Sequence, residues 1–474
     1  MIRELSERVR DGRLSAVALV ERALSQIERH DGEIHAVVKL RTEEALAEAR
    51  ALDGRARCGE RLGPLAGVPF LVKETSDLAG LSTTEGSLVL AEAPPATRDD
   101  MVVARLRTAG AIAVGKTNIP EFCFEGFTAN RLFGATHNPW ALEWSPGGSS
   151  GGSAAAMAAG MIPFATATDG GGSVRIPAAY CGLYGLKPTN GVIARDPIPG
   201  WIDFSTHGPM GVEPDDVRLL LAAMAGPAAG DPTALPAPPA IAARTKARPS
   251  RVLAAPRLVE WGPLPSAIAD LFAAAVERLE RDLGFEVEPL AAVEVLAGAD
   301  VGDANADDDW ATIATCEQAR QLGREWIERE GDRLHPAFHA AMKHGLKITL
   351  EEYLAARRRR FAFVRALDVL LGTDTVLVTP TMPSEGFFAD GSRPGIEAER
   401  TSDDAYNTQV QNLTGHPALT VPAGVAPNGV PFGLQLTAPR FRDDLLLDLG
   451  DAWAEAGAAA GFAPAPGYEV FWKL

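Results

Sequence analysis

Two glycine–serine loops, joined by a run of small and apolar residues, constrain this chain more than any other feature. The first, Pro146-Gly147-Gly148-Ser149-Ser150-Gly151-Gly152-Ser153, leads directly into Ala154-Ala155-Ala156-Met157-Ala158-Ala159-Gly160, which reads as an alanine-rich helix ended by glycine. The second, Thr168-Asp169-Gly170-Gly171-Gly172-Ser173-Val174-Arg175-Ile176-Pro177, follows the apolar run 162–168. That run reads as a short buried strand, so Ser173 falls in a tight turn at a strand end. A flexible linker would not be followed so closely by a small-residue helix and a buried strand, so the loops read as parts of one packed site. Glycines let the backbone turn sharply and point several N–H groups at one oxygen, as an oxyanion hole requires.

Serine is a poor nucleophile at neutral pH and needs a base. None of the eight histidines sits in a context that singles it out. Lys73 does: it ends the apolar run Ala66-Gly67-Val68-Pro69-Phe70-Leu71-Val72, a buried strand that would deliver the side chain inward. Loss of hydration lowers a lysine pKa from about 10.4 toward about 7 to 8, where it serves as a base. The competing expectation is a strand-end lysine that snorkels to water.

Together these segments resemble the amidase signature family. The likeness rests on Gly67-Val68-Pro69-Phe70-Leu71-Val72-Lys73, on the two serine loops, and on Cys181-Gly182-Leu183-Tyr184-Gly185-Leu186-Lys187-Pro188-Thr189. It continues through Gly208-Pro209-Met210 and resumes in Asn412-Leu413-Thr414-Gly415-His416-Pro417 and Phe432-Gly433-Leu434-Gln435-Leu436, about two thirds of the chain in all. The resemblance implies a Ser-cisSer-Lys triad: Ser173 the acylated nucleophile, Ser149 the bridging serine after a cis Gly148-Ser149 bond, and Lys73 the base. Backbone N–H groups of Gly170, Gly171, Gly172 and Ser173 would hold the oxyanion, each donor worth on the order of 3 kcal/mol. Asp169 and Arg175, flanking the nucleophile, are expected to pair and support the loop together with Gly148. The implied fold is α/β, a mixed, mainly parallel central sheet sandwiched by helices. The implied reaction is two-step acyl transfer, with no cofactor and no metal.

Three positions depart from the family pattern. Glu74 follows the lysine where aspartate is usual, Gly170 stands where threonine or a branched residue usually sits, and Asn190-Gly191-Val192-Ile193 replaces a more basic sequence. The extra glycine is expected to loosen the oxyanion loop and widen the acyl pocket. Cys181 reads as core. Aromatic residues near the loops, Phe122, Phe124, Phe127, Trp140, Trp144 and Trp201, suggest an apolar pocket. No charged residue stands out as a clamp, which favours a neutral aryl or acyl amide or a carbamate, with esterase side activity. A urethanase or a cyclic or oligomeric amide hydrolase uses the same chemistry.

Other readings compete. Gly147-Gly148-Ser149-Ser150-Gly151 also fits the nucleophile-elbow pattern, which would make the chain an α/β-hydrolase esterase using Ser149 or Ser150 with a later Asp and His such as His416. The preceding Trp140-Ala141-Leu142-Glu143-Trp144-Ser145-Pro146 is a poor strand, which argues against it. Within the family, the glutaminase component of a tRNA-dependent amidotransferase carries an arginine-bearing helix that region 334–347 lacks, so a stand-alone hydrolase is favoured. A non-enzymatic binder is disfavoured by the complete triad.

At 474 residues, 46% apolar, the chain reads as one continuous domain, 1–474. Within it lie a catalytic core segment at 60–215, an Ala/Pro-rich connector at 222–249, a variable substrate-side region at 250–400 and a C-terminal return at 401–474. A formal charge of −17 argues against general nucleic-acid binding, and the four cysteines are too scattered for a disulfide framework. The charged N-terminus lacks an apolar segment, so a cytoplasmic monomer or homodimer with no membrane partner is the expectation. Helices are expected at 14–30 behind Ser15, at 265–283 and at 350–371, a strand at 251–255, and an acidic loop at 303–309. Arg357-Arg358-Arg359-Arg360 reads as a solvated face, and His335 with His339 lacks a third metal ligand.

Overall fold

Every position of Pro69–Lys73 and of Ile112–Thr117 is buried, and these two strands run parallel at the middle of a four-stranded sheet. Continuous apolar runs of this kind suit strands covered on both faces. Val37–Leu40 and Phe164–Ala165 flank them. The computed structural model describes all residues except 237–242, 260–262, 303, 394–406, 458–464, 469–470 and 472–474. Parts of the connector, the variable region and the C-terminal return therefore lie outside the described residues, as does Asp303.

A larger, seven-stranded sheet runs in the order Met210–Gly211, Tyr184–Lys187, Ala418–Val425, Pro431–Thr437, Thr375–Pro380, Arg251–Ala254 and Val287–Pro289. The sheet is mixed, and helices pack against it. Its balance differs from the mainly parallel expectation: only the two pairs made by Arg251–Ala254 are parallel, and the other four are antiparallel. The reason is the hairpin formed by Ala418–Val425 and Pro431–Thr437, whose short connection forces antiparallel pairing at the centre of the sheet.

Helix Ala16–Ile34 begins behind Ser15, whose Oγ accepts from Ala18 N at 3.0 Å, and buries Leu19, Val20, Ala23 and Ile27. Ser266–Arg281 and Leu350–Leu371 form the other expected helices. Three local expectations change. Run 162–168 is not one strand: Phe164–Ala165 joins the four-stranded sheet, while Thr168–Asp169 pairs with Thr206–His207. The acidic segment opens helix Ala306–Leu322, because Asn305 caps it and Asp307, Asp308 and Asp309 suit the positive end of its dipole. The arginine run is largely paired: Arg357 meets Asp203 and Glu317, Arg359 meets Asp309, and Arg360 meets Asp203, leaving Arg358 without an ion pair among the described residues. The facing acidic groups on 306–322 and the 203 loop could not be placed from the run itself. No helix among the described residues is long and apolar enough to cross a membrane.

Candidate active site

Strand Pro69–Lys73 ends by turning Lys73 into the protein, where the side chain is fully buried. Its Nζ bonds Ser149 Oγ and Thr168 Oγ1, each at 2.7 Å, while its backbone N–H donates to Thr166 Oγ1 at 2.8 Å. Burial is the largest influence on the ammonium and holds its pKa below the usual lysine value, although Cys123, Glu85 and Asp169 pull the other way. The neighbouring Glu74, also buried, takes the positive charge of Lys116 at 2.9 Å and accepts from Thr84 N and Oγ1.

The Gly148–Ser149 peptide bond is cis. Thr128 Oγ1 donates to Gly147 O, and Gly147 N–H donates to Ser145 Oγ, fixing the approach to Ser149. Ser150 N–H donates to Ser173 O at 3.3 Å and ties the two serine loops together. Helix Gly151–Ala158 then leaves the site with every residue buried, which requires its run of glycine and alanine.

At the second loop, both carboxylate oxygens of Asp169 accept from Arg175, at 2.9 Å each, and this partner holds the carboxyl down at about 2 against the opposing effect of burial. Arg175 also donates to Gln411, Gln435, Asn412 and Thr408 O, so the pair anchors the loop to the C-terminal segments. Asp169 Oδ1 additionally accepts from Gly172 N–H at 2.7 Å. That bond engages one of the four expected oxyanion donors. Gly172 has φ of +130°, a conformation open to glycine, and a Cβ there would lie 2.7 Å from Thr408 Cβ.

A cavity of about 500 Å³ opens over these loops, lined by Ser149, Ser173, Thr168, Glu85, Cys123 and Trp201 among others. Gly170 does not widen it. Trp201 fills the space a side chain would take, 2.5 Å from the position of a Gly170 Cβ, and Trp310 Nε1 donates to Gly170 O at 2.9 Å. Of the six aromatic residues expected near the site, Phe122 and Trp201 line the cavity. Phe124 packs on Phe338, Phe127 and Trp144 join a separate cluster, and Trp140 donates to Cys181 O.

Among the lining residues not singled out in the sequence, two lie beside Lys73. Glu85 and Cys123 adopt left-handed conformations with φ of 51° and 57°, and Phe122 N–H donates to Glu85 O at 2.8 Å. Those backbone turns bring both side chains beside Lys73, and Cys123 also lies beside Ser149. Burial pushes the Cys123 thiol up and raises Glu85 to about 7. The only sequence signal was a charged residue inside the small polar run Thr83-Thr84-Glu85-Gly86-Ser87.

His416 is buried elsewhere, bonding Thr414 Oγ1 through Nδ1 and lying 3.1 Å from Asp368 through Nε2. Ser150 Oγ is turned to the backbone of Thr168. Neither fits an elbow serine with a histidine base, which overturns the α/β-hydrolase alternative.

The family model described as Amidase matches residues 18–447. The chain is 34% identical over 464 residues to an acylamidase of Rhodococcus erythropolis, covering 94% of this chain and 92% of that one. It is 32% identical over 488 residues to a glutamyl-tRNA(Gln) amidotransferase component of Nostoc sp. (strain PCC 7120 / SAG 25.82 / UTEX 2576), covering 96% and 97%. Among solved structures, a bacterial aryl acylamidase of the amidase signature family superposes with a TM-score of 0.84 at 26% identity, covering 95% of each chain. With its fold, its serine loops and the match along nearly its whole length in agreement, this chain belongs to the amidase signature family of hydrolases that act on amides.

Proposed function

We propose that the protein is a stand-alone amidase that cleaves an aryl or acyl amide, or a carbamate, through an acyl-enzyme on Ser173. The observation that carries this reading is the 2.7 Å contact between the buried Lys73 Nζ and Ser149 Oγ, in a cavity that Ser173 also lines. In the neutral amine the Nζ lone pair accepts the Ser149 hydroxyl proton while Ser149 accepts that of Ser173, so Ser173 attacks the carbonyl carbon. The negative charge then forms beside the N–H groups of Gly170, Gly171 and Ser173. Return of the proton along the same path releases the amine, and water cleaves the acyl-enzyme with Lys73 again as base. An ester would pass through the same steps.

The likeness to an amidotransferase component supports a second reading, a glutaminase dependent on a tRNA-binding partner. Helix Pro336–Gly345 holds no arginine to meet a glutamine carboxylate, which favours the stand-alone hydrolase. Treatment with a fluorophosphonate and peptide mapping by mass spectrometry tests the triad without a known substrate. The expected result is an adduct on Ser173 that is lost in Lys73→Ala. An adduct on Ser149 or Ser150 that survives Lys73→Ala would overturn the assignment.

A further inference from the structure

Glu85 is a charged side chain of the cavity that lies beside Lys73 and takes no part in the proton path through Ser149 and Ser173. Its Oε1 accepts from Thr75 Oγ1 at 3.0 Å. Among the described residues its Oε2 has no hydrogen-bond partner, and the side chain lines the cavity. The other charged groups on that lining are engaged by the protein: Asp100 Oδ1 accepts from Val102 N–H at the start of helix Met101–Thr108, and Arg195 pairs with Asp231. Glu85 has no cation within ion-pair distance among the described residues.

We propose that Glu85 selects, among the amides cleaved at Ser173, those that carry an alkylammonium group; the inference rests on the amidase reading above. One free oxygen offers a single acceptor, which suits the compact charge of an ammonium and not the two-pronged fork of a guanidinium. Phe122 and Leu322 on the same lining give apolar surface to a methylene stem. Burial disfavours the carboxylate and outweighs the help of Thr75, Lys116 and Lys73, with Glu74 opposing. An arriving cation supplies the missing charge and draws the proton off. The expectation of a wholly neutral substrate is thereby refined: the scissile amide stays neutral, and a remote substituent carries the charge.

The test is protection of Ser173 against fluorophosphonate by n-butylammonium and by n-butanol, which share a stem and differ in the head group. In the wild-type protein the ammonium should protect at a concentration about tenfold lower than the alcohol, the effect of one charged hydrogen bond. Glu85→Gln, which keeps the acceptor for Thr75, should erase the difference. A second arm needs no variant. In the wild-type protein the preference for the ammonium should grow as the pH rises through about 7 and Glu85 ionises. Lys73, Glu74, Lys116 and Cys123 face Glu85, and Asp100 with His207 shares the cavity, so a pH dependence that persists in Glu85→Gln belongs to them and overturns the assignment. Equal protection by both compounds at every pH also overturns it. Failure of Ser173 to label without either compound overturns the acyl-enzyme reading itself, a result distinguishable from loss of discrimination.

Discussion

The floor of the cavity and its wall are built by opposite means. On the floor, function comes from backbone held where side chains cannot fit: a Cβ on Gly148 would lie 2.6 Å from Phe127 O, and one on Gly152 would lie 2.5 Å from Asn118 N. Backbone atoms cannot move aside cheaply, so these positions admit only glycine. On the wall, Ile198, Trp201, Gln318 and Gln321 present side chains, and Ile198 is 38% exposed. Substitution there changes shape and polarity without touching Lys73, Ser149 or Ser173. One fold can thus keep its chemistry while its substrate changes.

The comparison breaks most sharply at the floor. Lys73→Ala should lower kcat/KM for any hydrolysed anilide or ester by about 10⁴-fold or more, as losses of a base or nucleophile commonly do. In the wild-type enzyme, kcat/KM should rise with pH and level off, because only the neutral amine accepts the proton. Burial lowers the lysine pKa, so the limb should lie below the range of an exposed lysine. A rate that is flat in pH, or a limb that persists in Lys73→Ala, would assign the proton transfer to another group.

One step out from the reacting atoms, the support of the floor should fail as a matter of stability. Arg175→Met removes five partners from a fully buried cluster and leaves Asp169 charged without its cation. Loss of one member of a buried ion pair costs about 3 to 5 kcal/mol. Chemical denaturation should register that loss, with activity falling as the Ser173 loop loosens. A variant of wild-type stability would mean that the glutamine and asparagine side chains hold the loop alone.

The sequence displayed the floor well and the wall poorly, for a physical reason. Glycine runs, a buried strand ending in lysine and the Asp169–Arg175 spacing are local, and each carries its own constraint on the backbone. Glu85 reaches the cavity only through a left-handed turn and a bond from Phe122 N–H, a contact between segments far apart in the chain. The arginine run misled for the same reason, since Asp203, Asp309 and Glu317 meet it only in three dimensions. The mainly parallel sheet was what the family resemblance implied, and the C-terminal hairpin reversed the balance.

The smallest predicted effect falls where floor and wall meet. Trp201 occupies the space beside Gly170, so Gly170→Ala places a methyl 2.5 Å from the indole ring and one of the two must move. Because Trp310 Nε1 holds Gly170 O, the backbone is the more constrained partner, and the ring should yield. Activity toward a small anilide should fall about tenfold, and Trp201→Ala should change it by less. The double variant should recover most of the loss, because removing the ring relieves the clash that the methyl creates. Additive losses would show that Trp201 and Gly170 act separately, and that the glycine is required by the oxyanion loop itself.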